Sequence, residues 1–205
     1  MLLNAVIKFV LWSVLALRSA FSLENSFHIG SELGGYVLDI TKCFNGFGRI
    51  PSMWMMQSNG MTKAHADFWL KSMEKMSRTV FLGGSYSQPR FSTTGCAEGD
   101  PIAVCVMVQI GHLWYRLVSL SGVSASAFAD NWSWEGRTPE EHVQALLMTQ
   151  RLLQALRLHS DPAKCWAWGS GPKAKKGWDE ISALVFGSPG RIRTTFSEKD
   201  LGVQM

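Results

Sequence analysis

Apolar positions change their spacing several times along the chain, and each change marks an expected element. From Leu2 to Leu17 the chain is almost continuously apolar, interrupted by Lys8, and it gives way to the polar stretch Arg18–Asn25. A bilayer takes about 20 apolar residues, more than Phe9–Leu17 supplies, and no basic residue precedes the run. A buried amphipathic helix over 2–18 is therefore preferred. Ser19 and Ala20 keep a secretory leader or anchor as the alternative. Gly34-Gly35 leads into Tyr36-Val37-Leu38-Asp39-Ile40, a short run of strand type with an acid near its end. Asn45-Gly46 and Pro51 predict a loop. Thr62 can cap a helix with Ala64, Phe68, Trp69, Met73 and Met76 on one side. Segments 78–82 and 88–92 around Gly83-Gly84-Ser85 read as a hairpin.

Asp100-Pro101 pairs an N-cap with a proline at the first helical position. The β-branched run Ile102–Ile110 would fit a buried strand by periodicity, and the cap favours a helix. Ser124–Phe128 and Trp132–Trp134 flank Ala129-Asp130-Asn131, predicting a hairpin with an acid at its tip. Thr138-Pro139-Glu140-Glu141 is a capping box, and Val143, Leu146, Leu147, Leu153 and Leu156 give the helix behind it an apolar face. Ala163–Trp168 reads as a strand and Lys173, Lys175 and Lys176 as part of a loop. Mixed order with antiparallel pairing predicts an α+β sheet with helices on one face.

Composition allows a sizeable core: 46% of residues are hydrophobic and 18% charged, which excludes wholesale disorder. Nine tryptophans are enough that some rings could stack on bases after the core is filled. A net charge of +4 leans toward polyanionic partners. Cys43, Cys96, Cys105 and Cys165 are scattered without a paired spacing, which argues against a disulfide framework or zinc site and suits an intracellular protein, nuclear or cytoplasmic.

Acids at a strand end and at a hairpin tip suggest a chemistry. Nucleotidyl transfer uses two divalent ions about 4 Å apart, held by carboxylates, and Asp39 and Asp130 are spaced to meet if their strands pair. Taken singly, each reads first as a turn aspartate capping backbone amides.

The order of motifs adds to this. Asp39–Phe44 resembles motif A of reverse transcriptases, an aspartate followed five residues on by an aromatic. Thr94–Ala103 resembles motif B, a glycine-containing loop opening a helix. Phe128-Ala129-Asp130-Asn131 resembles the motif C hairpin. Leu158–Lys164 resembles motif D, and Asp200–Val203 the start of the motif E primer grip. Leu2–Lys8 is similar to the fingers segment upstream of motif A. Five matches in order, over nearly the whole chain, resemble the non-LTR retrotransposon type of RNA-directed DNA polymerase, in a divergent and truncated form.

The resemblance implies an α+β polymerase palm, a small mainly antiparallel sheet of RRM/ferredoxin-like type backed by helices. It implies a fingers remnant over 1–34, a palm over 35–169, and a motif E region over 170–205 without a thumb. Asp39 and Asp130, with the backbone of Ile40, would bind two Mg²⁺ or Mn²⁺ ions. Thr41, Lys42, Cys43, Phe44, Gly95, Glu98 and Gly99 would surround the nucleotide, with Phe44 as the gate against a 2′-hydroxyl. Phe128, Ala129 and Asn131 would shape the hairpin, Lys164 would protonate the leaving pyrophosphate, and Leu201 and Gly202 would grip the primer. Implied partners are an RNA template, a DNA primer, deoxynucleoside triphosphates and further domains of a longer retroelement protein; a membrane is not among them. Three departures stand out: Asn131 replaces the second motif C aspartate, Glu98 stands where the family often has glutamine, and the spacing from Lys8 to Asp39 leaves little room for fingers. The alternative is an inactive retrotransposon-derived remnant that retains nucleic-acid affinity.

Overall fold

The computed structural model describes residues 34–96, 100–169, 172–188 and 190–195. The expected helix over 2–18, Glu98, Gly99, Leu201 and Gly202 lie outside them.

Five strands form the main sheet. These are β1 (Gly34–Asp39), β6 (Ser124–Phe128), β7 (Asn131–Gly136), β8 (Trp166–Gly169) and β9 (Thr194–Thr195), in the order β6-β7-β1-β8-β9. Every pairing is antiparallel except β8 with β9. The α+β class and the mainly antiparallel sheet follow the sequence expectation. Between β1 and β6 the chain forms α1 (Cys43–Gly46), α2 (Arg49–Ser58), α3 (Lys63–Lys75), a projecting hairpin of β2 (Ser77–Arg78), β3 (Phe81–Leu82), β4 (Ser85–Tyr86) and β5 (Arg90–Phe91), and then α4 (Pro101–Ser119). Helix α5 (Pro139–Leu156) connects β7 to β8, and α6 (Pro172–Phe186) follows β8.

The caps read from sequence are made. The Asp100 carboxylate accepts from the Ile102 N–H at 2.9 Å and holds the start of α4, which settles the strand-or-helix ambiguity of 102–110. Thr138 and Glu141 form the complete capping box of α5, and Thr62 accepts from His65 at the start of α3.

Alternation in the sheet puts Leu38, Ala125, Ala127, Trp132, Trp134, Tyr36 and Ala167 on one side, where α4 and α5 cover them. Tyr36 stacks on Trp134, Trp114 of α4 stacks on Trp132, and Gly111 leaves room for Ala127. Burying rings of this size contributes strongly to the hydrophobic driving force of the core. Trp114 Nε1–H donates to Thr149 at 2.9 Å, so its polar atom is satisfied within the apolar layer.

Several expectations are corrected. The loop expected around Asn45-Gly46 and Pro51 is two helical segments, and Pro51 falls in the first turn of α2, where its missing N–H has no intrahelical partner to lose. On α3 the buried face is Ala66, Trp69 and Met73, while Ala64 and Phe68 face solvent. On α5 the buried face also takes His142, Ala145, Thr149 and Leu152. The loop expected around Lys173, Lys175 and Lys176 is the first part of α6. The strand expected from Ala163 begins at Trp166. In the projecting hairpin the second arm begins at Ser85, and Gly83 and Gly84 make the turn with positive φ.

Candidate functional site

Three chain segments are tied together at one end of the sheet. Asp39, last residue of β1, is the register partner of Asn131. The next residue, Ile40, donates its N–H to the Asp130 carbonyl at 2.8 Å. The tip carrying Asp130 is a two-residue turn, Ala129-Asp130, in which Ala129 adopts a left-handed φ of 48°. Trp132 Nε1–H donates to the Ala129 carbonyl at 3.0 Å, anchoring the tip to the buried face below. The third segment follows α5: Thr41 N–H donates to the His159 carbonyl at 2.8 Å, and Asp161 N–H to the Asp39 carbonyl at 2.9 Å.

This third segment delivers Lys164. The Asp161 carboxylate caps the Ala163 N–H at 3.0 Å, and the Asp161 carbonyl accepts from Lys164 N–H at 3.0 Å. The turn so formed swings the Lys164 ammonium to 3.3 Å from the Asp39 carboxylate and 4.0 Å from that of Asp161. The Asp39 hydrogen bond and charge raise the Lys164 pKa, with smaller contributions from Asp161 and Asp130, so the ammonium stays charged at neutral pH. Asp39 is the enclosed partner, its side chain 13% exposed against 62% for Lys164. Sequence reasoning gave Asp161 no part; the signal available was its place before Pro162, where an aspartate favours a turn.

The segment after Asp39 meets the glycine loop. Lys42 takes a left-handed φ of 48° before the short turn α1, with Thr41 and Lys42 exposed and Cys43 buried. Phe44 is half-buried and packs on the core. Its carbonyl accepts from Cys96 N–H at 2.8 Å, and Gly95 N–H donates to Phe47 at 2.8 Å. Gly95 has a φ of 60°, and a Cβ there would collide with the Phe44 carbonyl and the Asn45 backbone, so this close approach requires glycine. Arg49 holds the junction from below, donating to the Gly95 carbonyl at 2.6 Å, to Met73 at 3.2 Å and to Thr94 at 3.2 Å. It is a buried guanidinium that sequence reading passed over. The structure thus gathers Asp39, Ile40, Asp130, Asn131 and Lys164 at one point, and Phe44 with Gly95 beside the turn that leaves it.

The donor chemistry fits a hard divalent cation. Asp39 and Asp130 offer carboxylate oxygens and Asn131 an amide, the oxygen set that suits Mg²⁺ or Mn²⁺. Asn131 Nδ2 lies 3.5 Å from the Asp130 carboxylate, so its amide and that carboxylate are neighbours. Among the described residues no group of three or more His, Cys, Asp or Glu side chains is arranged to hold a metal.

No protein-family model matches the chain, and no curated protein matches it. Among solved structures, its fold is distantly similar to that of a telomerase. That structure is the apo telomerase from Candida Tropicalis truncated from its C-terminal domain, matched with a TM-score of 0.57 at 10% identity. The match covers 78% of this chain and 35% of the telomerase chain, so this chain spans about a third of the length of that neighbour. At this identity the likeness concerns the fold.

Proposed function

We propose that this chain is a reverse-transcriptase palm of the non-LTR retrotransposon type, carrying out RNA-directed DNA synthesis. The observation that supports the reading is the backbone hydrogen bond of Ile40 to Asp130 beside the register pair Asp39–Asn131, which brings the backbones of two distant acid-bearing segments together in a fold distantly similar to that of a telomerase. Asp39 and Asp130 would hold the divalent ions, which when bound would activate a primer 3′-hydroxyl and offset charge on the α-phosphate. Phe44 sets its ring against the sugar and excludes a 2′-hydroxyl, selecting deoxynucleotides. Lys164, kept protonated by its acid neighbours, supplies a proton to the departing pyrophosphate once it leaves Asp39. Template RNA, primer DNA and deoxynucleoside triphosphates are the partners this reading requires.

One observation favours a second reading. The Lys164 ammonium already neutralises Asp39, and Asn131 supplies no charge, so the same geometry suits an inactive remnant that retains nucleic-acid affinity. Primer extension separates the two. The purified chain with Mg²⁺ or Mn²⁺ is expected to extend a DNA primer on an RNA template, and Asp130→Asn to abolish extension. Extension that survives the substitution overturns the catalytic assignment. Salt-sensitive binding with no metal-dependent extension supports the remnant.

A further inference from the structure

The projecting hairpin from Ser77 to Phe91 has no part in the chemistry above, and its surface is unusual in charge and exposure. From Lys75 to Ala97 the sequence holds no Asp or Glu, while Lys75, Arg78 and Arg90 all lie within it. Arg78 and Arg90 are direct register partners across β2 and β5, which places two guanidinium groups side by side on one face. Like charges directly opposite one another destabilise a strand pair, a cost that an anion between them removes. Arg78 donates to the Asn45 side chain at 2.9 Å through one nitrogen, and its other terminal nitrogen is enclosed with no hydrogen-bond acceptor among the described residues. Arg49 lies near enough that the Arg78 charge adds to burial in lowering its pKa. Arg78 and Arg90 line a cleft of about 370 Å³ together with Val80, Ser87, Phe91 and Ser92.

Beyond the cleft the hairpin presents rings. Phe81 and Tyr86 lie 4.8 Å apart at its far end, 59% and 75% exposed, and Phe91 is 66% exposed at its root. Leaving three aromatic rings in water is unfavourable unless something flat covers them. An apolar protein partner would cover rings but leave the guanidinium pair unmet. Single-stranded nucleic acid answers both, offering phosphates to the arginines and unstacked bases to the rings.

We infer that the 77–91 hairpin is a grip for single-stranded nucleic acid, with a phosphate seated between Arg78 and Arg90 and bases stacked on Phe81 and Tyr86. Its root reaches Asn45, the residue after Phe44, so a strand held there leads toward the candidate site. The inference uses none of the acids of that site and holds whether or not the chain polymerises.

The test is fluorescence anisotropy of labelled 12-mer oligo(U) and oligo(dT), titrated with the whole chain in EDTA over a range of NaCl concentrations. EDTA removes any binding bridged by divalent ions at Asp39 and Asp130. The unmodified chain is expected to bind with clear salt dependence. Arg90→Gln is expected to reduce the slope of log K against log salt by about 0.7, one single-strand phosphate contact. Phe81→Ser with Tyr86→Ser is expected to weaken binding roughly tenfold or more while leaving that slope in place. The hairpin contains no tryptophan, so unchanged tryptophan emission shows that the core of each variant is folded. Absence of binding by the unmodified chain, or unchanged affinity and slope in both variants, overturns the inference. So does binding to anionic phospholipid vesicles, lost in the same variants, in place of oligonucleotide binding.

Discussion

Among the described residues, two antiparallel hairpins differ in almost everything except their pairing. The β6–β7 hairpin buries Trp132 and Trp134 under α4 and α5, joins the sheet beside β1, and carries Asp130 at a tip fixed by Trp132. Among the described residues the 77–91 hairpin pairs only with itself through two-residue ladders, and it turns its rings and Arg90 outward. Local turn chemistry is sufficient to make both. Burial on one face distinguishes a hairpin that can hold an acid in a fixed place from one that can only touch a partner.

Breaking the buried hairpin should have the largest effect. Trp134→Ala removes a ring stacked on Tyr36 and packed on Trp114, and a cost of about 3–5 kcal/mol is expected, measured as a fall in urea midpoint or outright loss of folding. A smaller loss is expected from acid. Burial pushes the His142 imidazole down to about 4, against the raising pull of Glu141 and a Gly136 hydrogen bond, and its Nδ1 accepts from Trp134 at 3.1 Å. Above the ordinary histidine range both folded and unfolded states hold a neutral ring. As pH falls below about 6.5 the unfolded chain takes up a proton that the folded chain refuses until about 4, so stability drops across that window. The expected loss on going from pH 7.5 to 4.5 is on the order of 2–3 kcal/mol, flattened in His142→Gln; parallel pH curves for the two proteins would contradict it.

Thr138→Ala breaks the capping box just beyond β7 and is expected to cost about 1 kcal/mol, read as a lower thermal midpoint with the fold retained. The exposed hairpin supplies the smallest effect. Leu82 is 80% exposed, and Leu82→Ser should change stability by less than about 0.5 kcal/mol. A loss comparable to that of Trp134→Ala would mean that the outer hairpin is covered by part of the fold, and the contrast would fail.

The features legible in sequence were those with local chemistry. Asp100 before Pro101, the Thr138–Glu141 box and the short polar turn at Asp130 each carry their signal within four residues. Helix α2 was hidden because Pro51 reads as a breaker unless it is known to lie in a first turn. Helix α6 was hidden by its lysines, although Trp178, Ile181, Ser182 and Val185 repeat at helical spacing and the first three are buried. Of the candidate site, the two aspartates and Lys164 were visible through a family resemblance. Their convergence rests on pairings of β1 with β7 and with the loop after α5, over separations no periodicity can encode. Arg49 and Asp161 went unseen for the same reason, since both act through backbone carbonyls brought near only by the fold.

The central claim is that Asp39 and Asp130 serve one shared ion site. Fe²⁺ exchanged for Mg²⁺ in that site reduces added hydrogen peroxide to short-lived hydroxyl radicals that cut nearby backbone, and ascorbate returns the Fe³⁺ formed to Fe²⁺. The account predicts two sets of cuts, one around Leu38–Lys42 and one around Phe128–Trp132, both suppressed by excess Mg²⁺ and both absent in Asp130→Asn. Cuts in one stretch alone, or cuts indifferent to Mg²⁺, would contradict it.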